Sequence, residues 1–302
     1  MDGRPGVTLE QARALDALAR HGTFARAAAA LNKRHTAVLY ALKTLEEQSG
    51  VVLLDRRGYR TRLTPGGTRV LEHARKLLSA ARELEDACAE IRTGWEPELR
   101  LVFDGIFPVE PILEVALAIA RAGATTRVDV STEFLAGVER TFVDADADLM
   151  VTVITPQATD LRVVRLAPIR ARLLAHRDHP LARVRGDIEP GDLAAHLLLT
   201  VRGSDPRLHL STGDIEPTIT FRLNDFHAKK AGLLAGLGYG WMPEHLVENE
   251  LKKRVLVPLR WRGAEVHVFE PRLYYRGGRP LGRAARLVVD RLKADARRTR
   301  AG

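Results

Sequence analysis

The sequence predicts a multidomain protein that combines α+β and α/β architecture, and three patterns along its 302 residues support this. Short helical patterns followed by two short strands occupy residues 1–65, and one long helical pattern follows over 66–94. Apolar strands then alternate with helices over 97–302. Because each segment has its own apolar periodicity, we expect an amino-terminal domain, a connecting helix and a larger carboxyl-terminal domain.

The composition excludes several protein classes. One cysteine, Cys88, cannot close an intrachain disulfide, which argues against a secreted, disulfide-stapled scaffold. No apolar run approaches the ~18 residues of a membrane span, and residues 1–6 lack the apolar segment of a signal peptide. We therefore expect a soluble cytoplasmic protein that contacts no membrane and uses no metal or other cofactor.

Positive charge is concentrated at the amino terminus. The net charge is +9, and residues 1–65 hold eleven Lys and Arg against six acids. This fifth of the chain therefore carries more than half of the excess. A basic segment of this kind favours a polyanionic partner such as nucleic acid.

Capping signals divide the basic segment into three helices. Thr8 and Thr23 stand where N-caps are expected, and a turn at 32–34 precedes a third helix that ends before Gly50. The small residues at 27 and 28 allow the second helix to approach its neighbours closely. Two helices separated by about three residues predict a helix-turn-helix.

The third helix has two different faces. At about 100° per residue, an apolar stripe begins at Val38, and the opposite face carries Thr36, Tyr40 and Lys43. A helix of this width fits the major groove of duplex DNA, where these three side chains would contact base edges. Taken alone, the same face is also typical of a helix exposed to solvent.

Two short strand patterns, 51–54 and 61–63, flank a turn rich in arginine. After a helix-turn-helix this arrangement predicts a wing, whose arginines would bind the DNA backbone or enter the minor groove. A solvent-exposed hairpin and a winged helix that binds protein are the alternatives. The residues expected to contact DNA are Thr23, Arg26, Lys33, Arg34, His35, Thr36, Tyr40, Lys43, Arg56, Arg57, Tyr59 and Arg60.

A long helix is expected to begin at Thr64-Pro65, a cap followed by proline at the first helical position, and to stop near Gly94. Apolar residues recur in it at alternating spacings of three and four, which is typical of a two-helix seam. Such a helix does not bury its stripe alone, so we expect a dimer that reads an inverted repeat; packing against its own domain is the alternative. The seam consists of Ala74, Leu77, Ala81, Leu84, Cys88 and Ile91.

The remaining chain, 97–302, alternates strands and helices in two sets, which predicts parallel βαβ units. In open α/β sheets, ligands collect at the carboxyl ends of the strands. Residues at those ends and at one helix start are therefore the expected small-molecule site. They are Asp104, Ile106, Phe107, Thr155, Val201, Arg202, Asn224, Asp225 and Phe226.

The chemistry of this set favours an uncharged or aromatic ligand. Asp104 and Glu110 would repel a simple carboxylate, and Phe107 and Phe226 would hold an apolar ring. Arg202 is a cation that would reverse the preference. For several members of the set, capping and turn formation are the alternative roles.

Residues 8–93 resemble the amino-terminal region of LysR-type transcriptional regulators, with the spacing kept without gaps. The matching residues are Gly22-Thr23-Phe24, Ala27-Ala28, Leu31, Ala37-Val38, Leu42, Leu45-Glu46, Gly50, Leu53-Leu54, Arg56 and Leu63-Thr64-Pro65-Gly66-Gly67. Where the family commonly has Gln, Pro and Ser, this chain has His35, Thr36 and Leu39, and Leu54 stands in place of Phe. Since the first three lie on or beside the reading helix, operator sequences of relatives do not transfer to this chain.

The resemblance extends more weakly over the rest of the chain, through the segments Asp148–Val151, His179–Leu181 and Gly236–Pro243. It implies a two-lobed α/β domain like that of periplasmic binding proteins, which binds a small effector between its lobes. It also implies a homodimer or homotetramer and, if the protein activates transcription, RNA polymerase as a further partner. The expected boundaries are 1–65, 66–94 and 97–302, with lobe I at about 97–160 and 265–302 and lobe II at about 161–264.

Two other motifs carry less weight. The glycines over 236–240 follow a helix and lead into Trp241, so they lack the strand-to-helix turn of a nucleotide loop. His176 and His179 are metal-ligand types, but the spacing places no third ligand. We therefore predict a sequence-specific transcriptional regulator modulated by a small molecule, and not an enzyme. The alternatives are an architectural DNA-binding protein whose carboxyl-terminal domain binds protein, and an enzyme in the α/β region.

Overall fold

The computed structural model describes residues 6–55, 61–201, 210, 212–261 and 265–301, and the chain divides into two compact units, Met1–Arg92 and Thr93–Gly302. The amino-terminal unit contains α1 (Leu9–His21), α2 (Phe24–Ala30), α3 (His35–Ser49), β1 (Leu54–Asp55), β2 (Arg62–Leu63) and all but the last residue of α4 (Pro65–Thr93). Strands β1 and β2 pair antiparallel. The expected order of three helices, a hairpin and one long helix is confirmed.

Local hydrogen bonds fix the helix ends where the sequence predicts them. Thr8, Thr23 and Thr64 each accept a hydrogen bond from the backbone amide three residues later, at 3.2, 3.3 and 2.8 Å. Helix α3 ends at Gly50, whose φ of +67° lies in the left-handed region that favours glycine. A threonine hydroxyl therefore caps the start of each of these three helices, and at α1 the Gln11 side chain completes a capping box by accepting from the Thr8 amide at 2.9 Å.

The core of the amino-terminal unit joins α1, α3 and the hairpin to the long helix. Leu15 of α1, Leu42 and Leu45 of α3, and Leu53 before β1 are almost completely buried. Leu71 of α4 packs against them in the same cluster. Burial of each such leucine side chain contributes about 1.5–3 kcal/mol to the free energy of folding. The packed leucines therefore hold α3 in a fixed orientation, with its polar face toward solvent.

The first part of α4 packs on its own unit, which corrects one expectation. Ala74, expected in the dimer seam, is buried in the amino-terminal core. The Arg75 side chain beside it donates to the Asp16 carboxylate of α1 at 2.9 Å, and Arg20 pairs with the same carboxylate at 2.7 Å. Because α1 covers this end of the helix, the exposed part of the seam lies further along α4.

Two sheets define two lobes in the carboxyl-terminal unit. The strands of lobe I are β3 (Glu98–Asp104), β4 (Arg127–Glu133), β5 (Leu149–Thr152), β6 (Leu161–Arg165) and β13 (Arg272–Arg276), in the order β4-β3-β5-β13-β6. Its helices are α5 (Glu110–Arg121), α6 (Ala136–Asp144) and α10 (Arg283–Ala301). The strands of lobe II are β7 (Ile169–His176), β8 (Leu198–Val201), β9 (Thr220–Leu223), β10 (Tyr239–Pro243), β11 (Leu256–Pro258) and β12 (Val266–Phe269), and its helices are α7 (Pro190–Ala194), α8 (Phe226–Leu234) and α9 (Glu248–Lys252).

The two sheets mix parallel and antiparallel pairing. Strand β3 is parallel to β4 and β5, and β8 is parallel to β9 and β10. Strand β13 is antiparallel to β5 and β6, and β7 is antiparallel to β10, β11 and β12. The expectation of parallel units therefore holds for three strands of each lobe. The carboxyl ends of β3, β8 and β10 contribute residues to a cleft between the lobes.

The chain crosses between the lobes later than the sequence suggested. We expected lobe II at about 161–264, but β6 pairs with β13 and extends lobe I to Arg165, whereas β12 pairs with β7 and extends lobe II to Phe269. The two crossings meet where the Leu166 amide donates to the Pro271 carbonyl at 3.0 Å. Long-range strand pairing, which a local pattern does not specify, decides both boundaries.

The last helix returns to lobe I and is anchored there by a buried carboxylate. Glu96 accepts hydrogen bonds from the Ala284 and Ala285 amides at 2.9 and 2.8 Å, at the start of α10. The Arg283 guanidinium lies 4.1 Å from the centre of the Trp95 ring. Within the described ranges, no helix combines the length and the apolarity that crossing a membrane requires.

Candidate functional site

Helix α3 presents a polar face to solvent, as the sequence predicts. Val38 and its stripe are buried, whereas the opposite face with Thr36, Tyr40 and Lys43 is exposed. The Tyr40 side chain is 71% exposed although it carries an aromatic ring. Lys43 lies 3.6 Å from Glu47, one turn along the helix. This face has the width and the donor groups needed to read base edges.

Backbone and side-chain contacts hold α3 in place behind that face. The Glu46 carboxylate accepts from the Leu53 and Leu54 amides at 2.8 and 3.1 Å, which ties the helix to β1. At the same end of α3, the Gln11 side-chain amide of α1 donates to the Gln48 side-chain oxygen at 2.8 Å. Such contacts orient the helix before any partner binds, which lowers the entropy cost of binding.

Basic groups surround the amino terminus of α3. Arg34 occupies the N-cap and no side chain caps the helix there, so its first amides point outward with the positive end of the helix dipole. Lys33 and His35 on either side of Arg34 are exposed, as is Arg26 on α2, and the Lys33 ammonium pairs with Glu10 of α1 at 3.2 Å. The other predicted contacts, Arg56, Arg57, Tyr59 and Arg60, lie outside the described residues. The arrangement favours phosphate groups.

Beyond Ala74, helix α4 carries an apolar line that the described part of the chain leaves exposed. Leu77, Leu84 and Ile91 follow each other at spacings of seven and are 40, 67 and 87% exposed. Cys88 is exposed, and Ala81 is half-buried. At about 100° per residue, a spacing of seven keeps the line on one face of the helix, so most of the expected seam is available to a partner.

A cleft between the lobes collects part of the predicted small-molecule site. It encloses about 530 Å³ of space between atoms, including its open mouth. Lobe I contributes Asp104, Ile106, Phe134 and Leu135, and lobe II contributes Ala171, Thr200, Val201, Leu210, Phe226, Lys229, Trp241, Pro243 and Phe269. Aromatic and aliphatic side chains predominate in this lining, with few polar groups among them, which is typical of a small-molecule site.

Two ionisable side chains face the cleft from opposite lobes. The oxygens of Asp104 accept from the Ile106 and Leu135 amides at 3.1 and 2.9 Å, and burial nevertheless raises the pKa of this carboxyl to about 6. The Lys229 ammonium is buried and donates to the Trp241 carbonyl at 2.7 Å. Burial lowers the pKa of Lys229 to about 7, because the apolar surroundings disfavour its charged form.

Four predicted residues lie elsewhere. Phe107 is buried in the core and lines a different cleft, together with Pro108, Pro111 and the crossing at 166–168. Thr155 and Asn224 are exposed outside the cleft lining. Asp225 caps α8 by accepting from the Ala228 amide at 2.7 Å, so it has the helix-capping role that was the alternative to ligand binding. Arg202 lies outside the described residues.

Sequence reasoning missed the most distinctive member of the cleft, Lys229. It lies three residues after Phe226 on α8, so both project from neighbouring positions on one face of the helix. The three-residue spacing from Phe226 was the sequence signal that could have identified Lys229 as a cleft residue. Trp241 and Phe269 carried no comparable signal, because their placement depends on how β10 and β12 pair with β7.

Two segments of the chain match known protein families. Residues 92–297 match the family described as the LysR substrate binding domain, and residues 9–68 match the bacterial regulatory helix-turn-helix protein, lysR family. The chain belongs to the LysR family. Its resemblance to LysR-type regulators and its predicted fold class are confirmed, and this LysR-family protein is a DNA-binding transcriptional regulator with an effector-binding domain.

A curated relative agrees with this assignment, and solved structures share the fold. The LysR-family chain is 32% identical over 271 residues to the probable HTH-type transcriptional regulator YhaJ of Escherichia coli K12, covering 83% of this chain and 86% of that one. A full-length OxyR variant from Pseudomonas aeruginosa has a TM-score of 0.67 at 20% identity, with 97% of each chain covered. Full-length LysG from Corynebacterium glutamicum, with its bound effector arginine, has a TM-score of 0.62 at 19% identity and covers 96% of this chain and 98% of that one. At these identities the two structures show a shared fold.

Proposed function

We propose that this regulator reads duplex DNA by placing α3 in the major groove, with Thr36, Tyr40 and Lys43 contacting base edges. The observation that carries the proposal is the exposed polar face of α3 on a buried leucine support, with Tyr40 71% exposed. Because the Tyr40 ring is exposed, placing it in a DNA groove disrupts little packing within the protein. Its hydroxyl can both donate and accept hydrogen bonds with base edges.

The basic groups around α3 would bind the DNA backbone. Arg34 occupies the uncapped helix start, where phosphate oxygens would accept from its side chain and from backbone amides, and Arg26 is exposed on α2. Lys33 would exchange its pairing with Glu10 for a phosphate, a small cost because both groups are exposed. The contacts in this group are Thr23, Arg26, Lys33, Arg34 and His35, with Arg56, Arg57, Tyr59 and Arg60 from the predicted wing.

We propose further that two copies join through the exposed line of α4, Leu77, Leu84 and Ile91. A homodimer of this kind presents two copies of α3 and therefore prefers an inverted repeat. A small molecule in the interlobe cleft would regulate the complex. Because Asp104 and Phe226 belong to different lobes, a ligand that touches both walls favours one arrangement of the lobes over others.

Replacing Lys43 with alanine tests the assignment of α3. On the preferred duplex, obtained by selection from a random library, Lys43→Ala should weaken binding by about 1–3 kcal/mol, because a base contact is lost. On a random duplex of the same length it should change binding little. Arg57→Ala, in the predicted wing, should weaken both complexes similarly, because phosphate contacts are independent of sequence.

Lys252→Ala is the matched control for this measurement. Lys252 pairs with Glu248 at 3.3 Å one turn away on an exposed helix, much as Lys43 pairs with Glu47 at 3.6 Å. Lys252→Ala removes the same charge and the same type of ion pair as Lys43→Ala, but from the carboxyl-terminal unit. Equal losses for Lys43→Ala on both duplexes, or an equal loss for Lys252→Ala, would contradict the role of α3.

A further inference from the structure

The interlobe cleft holds a buried ammonium for which the described residues supply few hydrogen-bond partners. Lys229 has three N–H donors, and its contacts in the described part of the chain are the Trp241 carbonyl at 2.7 Å and the Phe226 ring, whose centre lies 5.7 Å away. No carboxylate among the described residues forms an ion pair with it. A buried cation without a counter-ion is costly, and a partly neutral amine reduces that cost only in part.

The carboxylate across the cleft does not serve as the counter-ion. Asp104 directs its two oxygens at the Ile106 and Leu135 amides, at 3.1 and 2.9 Å. These bonds hold the loop at 135, where the backbone takes a φ of +48°. The carboxylate therefore shapes the rim on lobe I, and no described residue supplies a counter-ion to the ammonium on lobe II.

The backbone of lobe II is built to let Lys229 reach this position. A Cβ on Gly240 would lie 2.9 Å from Cε of Lys229 and 2.4 Å from the Leu199 carbonyl oxygen. Glycine at this point of β10 therefore gives room both for strand packing and for the lysine stem. The stem passes the strand and brings Nζ to a wall that also contains the Phe226 and Trp241 rings.

We propose that the effector carries an apolar body, fitted to the aromatic walls, and one anionic acceptor group that binds Nζ of Lys229. This deepens the proposed regulatory role of the cleft and rests on it. The Phe134 and Phe226 rings, from opposite lobes, pack against each other at 6.0 Å between centres and would form one apolar wall for the body, and Trp241 and Phe269 extend the apolar surface in lobe II. The low pKa of Lys229 fits this assignment, since an incoming anion would restore the charged form. The sequence predicted an uncharged or aromatic ligand; Lys229 adds a requirement for negative charge to the aromatic preference.

Phenylacetate and phenylacetamide test the proposal, because they share a ring and differ in the charge of one group. Calorimetric titration of each into the full-length protein should give binding of phenylacetate at least about tenfold tighter than that of phenylacetamide. In Lys229→Met this preference should disappear. Lys229→Gln, which keeps a donor for the Trp241 carbonyl, should lose it as well and covers the case in which the methionine variant does not fold.

Lys230→Met is the control, because the Lys230 ammonium already has partners in the chain, the Leu246 carbonyl at 2.9 Å and Glu250 at 2.8 Å. The Lys230→Met variant should keep the preference for phenylacetate. Equal binding of the two probes, no binding of either at about 10 mM, or a preference that survives in Lys229→Met would each overturn the proposal. Binding of the preferred duplex by the unmodified protein is measured separately. Its absence would defeat the proposed function, whereas the calorimetric result reports on the cleft alone.

Discussion

Replacing Leu84 and Ile91 together with aspartate is expected to turn the dimer into a monomer and to weaken binding to the preferred duplex by about 100-fold or more. Both residues lie on the exposed line of α4, at 67 and 87% exposure. In a dimer, two aspartates from each copy would face one another across an apolar seam, where buried like charges are strongly destabilising. A monomer places a single copy of α3 on the DNA and loses the contacts of the second half-site.

Sedimentation measures the association directly, and titration of the duplex measures the affinity. Leu237→Asp is a suitable control, because Leu237 is also exposed, at 57%, but lies in the turn after α8. That variant should remain dimeric and bind the duplex normally. A double variant that still sediments as a dimer would show that another surface joins the copies, and the seam of α4 would have to be abandoned.

The amino-terminal fold was predictable because its determinants are local. Thr8, Thr23 and Thr64 cap helices through amides only three residues away, and the stripe that begins at Val38 needs only helical periodicity to face the core. What local reasoning could not decide was the partner of the long helix. Ala74 fits the same periodicity as the exposed line, but the position of α1 determines that it is buried within its own unit.

The cleft was only partly predictable for a related reason. The rule that ligands collect at strand ends correctly selected Asp104, Ile106, Val201 and Phe226 as residues that line the cleft. It identifies segments but not the direction of each side chain. Phe107 follows the same strand as Asp104, yet it turns into the core and the neighbouring cleft. The set of residues that lines the cleft depends on how the two lobes pack against each other.

Strand pairing explains the remaining errors in the fold. The segments β6 and β12 are short, and neither carries a signal for the sheet that it joins. Strand β6 is half exposed at the edge of lobe I, with Val163 at 55%, so its apolar content suggests no buried core strand. Contacts between residues more than a hundred positions apart in sequence place it beside β13.

The second large effect concerns the pH dependence of stability. Lys229→Met should stabilise the carboxyl-terminal unit relative to the unmodified protein at about pH 6, and this advantage should shrink by about 2–3 kcal/mol by about pH 9. The pKa of Lys229 falls from 10.5 to about 7 in the folded protein. Below the folded pKa both states hold the proton and the folded state bears the full cost of a buried charge. Between the two values the unfolded chain binds more protons, so the unmodified protein gains stability as the pH rises.

Urea unfolding followed by tryptophan fluorescence measures this difference in the relevant unit, because all three tryptophans, Trp95, Trp241 and Trp261, lie in it. Asp104, whose pKa burial raises to about 6, is present in both proteins, so its titration cancels in the comparison. Leu233→Met, a buried change on the same helix without a titrating group, should give a difference that does not vary with pH. A difference for Lys229→Met that is equally constant would mean that the folded protein keeps this lysine charged, and that a counter-ion already lies within the chain.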